Sequence, residues 1–115
     1  MISAELNKML IESLPCLLEK YLDEVNWQEG DDTGSHTVYG DVLTPYLIDC
    51  IENDNEQEYT AIFHYLEKLL ELNDEYAEEV VYLSVFESIS YIFKERSYLK
   101  LHLGEKCKKA IERVS

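Results

Sequence analysis

Residues 75–93 read EYAEEVVYLSVFESISYIF, and their spacing decides the fold. Ala77, Val81, Ser84, Val85 and Ser88 recur at helical intervals and form a face of small side chains. Tyr82, Phe86, Ile89 and Phe93 form a second, bulkier face. A surface helix has one apolar stripe, whereas a helix with two is covered on both sides. Small side chains also let a neighbouring helix approach to the short end of the usual spacing of roughly 8–10 Å. The stretch is therefore expected to be one helix of about five turns at the centre of the molecule.

On its N-terminal side, the turn Asn73-Asp74 offers a cap. Before it, Tyr59, Ile62, Phe63, Leu66, Leu69 and Leu70 keep one stripe over Glu56–Leu72, with Thr60, His64, Glu67, Lys68 and Glu71 on the wet face. A shorter helix is expected from about Val42 to Asn53, with Leu43, Tyr46, Leu47, Cys50 and Ile51 inward, Asp41 as cap and Pro45 in its first turn or just past it. Residues 28–37, QEGDDTGSHT, read as a loop that buries nothing, with Trp27 anchoring the helix before it.

The first apolar run (Leu6, Met9, Leu10, Leu14, Leu17, Leu18, Tyr21, Leu22, Val25) stays in phase across Pro15, with Ser3 as a cap. Either one helix kinks near residues 11–14, or two helices meet with Pro15 in the first turn of the second. After Phe93, Tyr98, Leu99, Leu101 and Leu103 fit a helical turn or two or an extended segment, which Gly104 ends. A last helix, Glu105 to Val114, turns Cys107, Ala110, Ile111 and Val114 inward. The expected architecture is a single all-α domain, residues 1–115, of about five to six antiparallel helices in a HEAT-like stack. A closed bundle is the alternative.

Twenty-four acidic and ten basic residues give a net charge of −14. The imbalance is uneven: Tyr21–Glu67 holds twelve acids and no Lys or Arg, whereas Lys94–Ser115 holds seven basic residues and three acidic. Such a field repels nucleic acid and anionic membranes and attracts basic proteins. The start, MISAELNKML, has neither a basic leader region nor a long apolar run, so no signal peptide or membrane span is expected. Cys16, Cys50 and Cys107 are odd in number and far apart, and each falls on an apolar helix face. They are expected to be buried reduced thiols of a cytoplasmic protein.

No residue pattern points to catalysis. His64 lies near Glu67 and Lys68 on a polar helix face with no nucleophile beside it, and reads as a solvated histidine. His36 follows Asp31 and Asp32 at a spacing that matches no calcium or zinc motif, and no ExxH pair occurs. Neither metal nor cofactor is expected.

Three pieces carry a resemblance. They are Tyr39-Gly40-Asp41-Val42-Leu43 with Tyr46-Leu47, then Ile62-Phe63-His64-Tyr65-Leu66-Glu67-Lys68-Leu69, and Ser84-Val85-Phe86-Glu87-Ser88-Ile89. Over roughly residues 36 to 104 the chain resembles short, acidic, all-helical bacterial proteins similar to immunity proteins encoded beside secreted or contact-delivered toxins. The resemblance implies a cytoplasmic inhibitor of one cognate toxin and transfers no catalytic residue. The charge itself suggests a surface for a basic protein; that this partner is a toxin, with a nuclease as the natural candidate, is what the resemblance implies. The expected members of the surface are Asp31 and Asp32 in the loop, Asp54 and Glu56 in the next turn, and Asp74, Glu75, Glu78 and Glu79 at the central helix. Tyr76 or Tyr82 would be the buried anchor. A helical scaffold for some other basic partner is the alternative, and an enzyme is not expected.

Overall fold

A computed structural model describes all residues, 1–115. The chain is all-α, without a strand. Helix α1 is Ser3–Ser13 and α2 is Leu18–Val25. Helix α3 runs unbroken over 35–52, through the segments Ser35–Val38, Tyr39–Leu43 and Thr44–Glu52. Helix α4 is Glu56–Glu71. Helix α5 covers 75–95, through Glu75–Glu79, Val80–Phe86 and Glu87–Glu95. A 3₁₀ segment, Ser97–His102, leads to α6, Glu105–Val114. One continuous hydrophobic cluster joins all six helices. The helices therefore share one core. No helix is long and apolar enough to cross a membrane.

The central helix forms where expected, but it is not a regular α-helix. Val80–Phe86 is π-helical, as is Tyr39–Leu43 in α3. A π turn spreads its residues over more than one α turn, so neighbours in sequence can share the buried side. Val80 with Val81, and Ser84 with Val85 and Phe86, are all buried. Ser88, placed on the small face by α-helical spacing, is exposed, and Tyr82 is half-buried. Helix α5 packs against α3, α4 and α6. It leaves outward the row Glu75, Glu79, Leu83, Glu87 and Tyr91.

The two π segments meet each other. A Cβ on Gly40 would stand 3.8 Å from the Ser84 carbonyl oxygen, which marks a close helix approach. The Thr44 hydroxyl lies within donor reach of Ser84 O at 2.8 Å and Tyr39 O at 3.0 Å. Pro45 therefore sits inside a long helix rather than in a first turn. The widened turn before it relieves the clash that a proline makes with the preceding turn. Asp41 lies within α3 and caps nothing.

Several other expectations give way. Pro15 opens a short 3₁₀ turn, Pro15–Leu17, so the two-helix alternative holds for the first run. Leu14, just before the proline, leaves the helical region, as residues before proline tend to do. Leu18 and Leu22 are exposed although they follow the stripe. Ser3 lies inside α1 and bonds the Tyr76 hydroxyl at 2.7 Å instead of capping. The 28–37 segment is not an empty loop. Thr33 and Ser35 are buried, and Asn7 of α1 bonds Thr33 O at 2.7 Å and the Ser35 hydroxyl at 2.8 Å. Buried polar groups cost little once each is paired. Trp27 anchors nothing: it is 74% exposed. Cys50 and Cys107 are buried, but Cys16 is exposed.

Candidate protein-binding surface

The acidic residues separate into three places. Asp54 and Glu56 lie at the start of α4, while Glu75, Glu78 and Glu79 follow its end. Sixteen helical residues at ~1.5 Å each put roughly 24 Å between these turns. Asp54 adopts the left-handed conformation, φ 54°, and lies 3.6 Å from the Arg96 guanidinium. Glu56 stands 3.4 Å from His102. Part of the basic C-terminal region thus already faces this turn.

Asp31 and Asp32 are exposed in the turn after α2. Asp31 accepts the Tyr21 hydroxyl at 2.7 Å, and its carbonyl accepts from Asn7. Asp74 caps α5, accepting the Ala77 amide at 2.9 Å, and pairs with the Met1 ammonium at 2.9 Å. The Ala77 amide, then the ammonium, hold its carboxyl below the usual range. Tyr76 is similarly engaged, its hydroxyl shared by Ser3 and the Ser35 amide. Asp74 and Tyr76 thus fasten α5 to the N-terminal part of the fold.

The remaining four expected residues share one groove. Glu75, Glu78, Glu79 and Tyr82 line it with Leu83 and Glu87 of α5 and Arg113 and Val114 of α6, around a space of about 550 Å³. Leu83 is 54% exposed. Four glutamates thus surround an apolar side chain and a half-buried tyrosine. The Arg113 guanidinium lies 5.5 Å from the Tyr82 ring centre, a cation–π distance. Below, Glu78 and Tyr82 meet Lys106 and Lys109 in a smaller hollow, so α6 neutralises part of the acidic face from within.

Sequence reasoning did not single out a second acidic hollow, between α2 and α3. Asp23, Glu24, Asp41 and Asp49 line it with Lys20 and Tyr46. Asp41, Pro45 and Asp49 follow one another at four-residue steps along α3, a signal readable only once residues 39–44 are known to be helical. His36 is engaged within the fold. Its Nδ1 is 2.7 Å from the Ser84 hydroxyl and its ring meets the Tyr76 ring edge-on. No cluster of three or more His, Cys, Asp or Glu side chains is arranged to hold a metal.

No curated protein and no solved structure matches the chain. Residues 7–114 match the model of a domain of unknown function, DUF7674, and the chain belongs to that family.

Proposed function

We propose that the protein is a cytoplasmic inhibitor, an immunity protein that neutralises a basic toxin domain by binding it directly through the groove on α5. The observation that supports this reading is the join of charge and apolar surface at one place. Glu75, Glu79 and Glu87 flank exposed Leu83 beside Tyr82. Interfaces combine a desolvated aromatic or aliphatic centre with a polar rim, and this groove has both. A nuclease toxin suits it, because a site that holds phosphates must itself be basic. Tyr82 serves as the anchor in this reading, since Tyr76 is already bonded within the fold.

The test is isothermal titration of the protein against the purified product of the gene that neighbours its own, which this reading expects to carry a basic toxin domain. Binding that Leu83→Asp or Tyr82→Ala weakens by tenfold or more supports the groove. Binding that both variants leave intact, while Asp41→Lys and Asp49→Lys abolish it, moves the interface to the hollow between α2 and α3. Absence of binding removes the immunity reading and leaves a helical scaffold for another basic partner.

A further inference from the structure

Leu18 and Leu22 stand exposed on α2, four residues apart and so on one face of the helix. They border a hollow of about 470 Å³ between α1 and α2, lined also by half-buried Ile11 and by Tyr21. Its charged members are Lys8, Glu12 and Asp31. Lys8 is the only cation of α1 and lies 3.7 Å from Glu12, one turn on. Their side chains are 77% and 65% exposed. An ion pair so open to water contributes little within its own chain, so either member can exchange its partner at little cost.

Charge decides what covers this hollow. The α5 groove sets four carboxylates against Arg113, and the hollow between α2 and α3 sets four against Lys20. At either place a second copy of the chain would bring like charges face to face. The α1–α2 hollow carries both signs around an apolar lining. A two-fold interface presents the same patch on both partners, so the patch must be complementary to itself. Both signs, and leucines beside a cavity, meet that requirement here. We propose that a second copy of this chain docks on the α1–α2 hollow, forming a two-fold dimer in which Lys8 of each copy pairs with Glu12 of the other. The two α1 helices run antiparallel about an axis level with Leu10, midway between the two charges, so both pairs form at once. Leu18 and Leu22 of each copy close over the hollow of the other and leave water. The contact uses no residue of the α5 groove, so it stands or falls apart from the toxin reading.

The experiment is sedimentation equilibrium of the full chain over a concentration series at physiological ionic strength, which screens the repulsion between two chains of net charge −14. The expected result is a reversible monomer–dimer equilibrium that stops at the dimer. Leu22→Asp should return the monomer with its circular dichroism unchanged, because that side chain is already exposed. Lys8→Glu and Glu12→Lys should each weaken the dimer by roughly fivefold or more. An equal mixture of these two variants should regain it, because each introduced charge then meets its opposite across the axis. A chain that stays monomeric throughout overturns the proposal, and loss of the neighbouring gene product's binding in Leu22→Asp would then give the hollow to that partner. Growth into larger assemblies, a dimer that Leu22→Asp leaves intact, or a mixture no tighter than its two components also overturns it. The mixture decides the matter even if Leu22→Asp fails to fold.

Discussion

The Thr44 hydroxyl meets the Ser84 carbonyl oxygen at 2.8 Å, joining α3, just past its widened turn, to the widened turn of α5. A π turn leaves carbonyls outside the regular helical pattern, and a buried carbonyl without a partner is costly. Thr44 offers the Ser84 carbonyl a donor from the neighbouring helix. Thr44→Val keeps the shape and removes the donor, so it should cost about 1–3 kcal/mol in urea unfolding. A loss below ~0.5 kcal/mol would mean that the joint contributes nothing.

The core prediction rests on Phe63, fully buried on α4 and 5.9 Å, ring centre to ring centre, from Phe93 of α5. Phe63→Ala should destabilise by roughly 3–5 kcal/mol, the range for large aromatic truncations. Chemical denaturation measures it, and a loss under about 1 kcal/mol would contradict this placement of the core.

Glu67 holds the start of α6. Its carboxylate accepts the Cys107 amide at 2.9 Å and the Lys106 amide at 3.1 Å, as an N-cap side chain would from within its own helix. Glu67→Ala should cost about 0.5–2 kcal/mol and speed hydrogen exchange at both amides. Gly104→Ala should speed the same exchange, because its Cβ would stand 2.5 Å from Glu67 Cδ and push the carboxylate off the cap. Unchanged exchange in both variants would show that the cap does not hold the helix.

Helix α4 was the most legible element. Its stripe from Tyr59 to Leu70 keeps strict three- and four-residue steps, and every member is buried. The π segments were hidden because α-helical spacing assumes a constant turn. Only the consecutive apolar residues Val80-Val81 and the proline inside α3 hint at them. The 28–37 segment misled because polar composition says nothing about pairing. Asn7 satisfies Thr33 and Ser35, but nothing near Thr33 in sequence announces Asn7. Cys16 followed a helical stripe that the 3₁₀ turn at Pro15 interrupts. Acidity was plain from composition. Its division was not, since which turns adjoin depends on the length of α4 and on Arg96, His102 and Arg113 returning to face it.

The proposed capture of a basic toxin is measured most directly by the stopped-flow association rate of the protein with the product of its neighbouring gene, taken against salt. Opposite fields raise association from a neutral ~10⁵–10⁶ M⁻¹s⁻¹ toward about 10⁸ M⁻¹s⁻¹ at low ionic strength, and salt screens the gain. The rate should fall by at least about tenfold from low to high salt. Glu79→Lys and Glu87→Lys should slow it at low salt, and Arg113→Ala, which removes the cation over Tyr82, should quicken it. A rate indifferent to salt and to all three substitutions would contradict capture of a basic toxin by this groove.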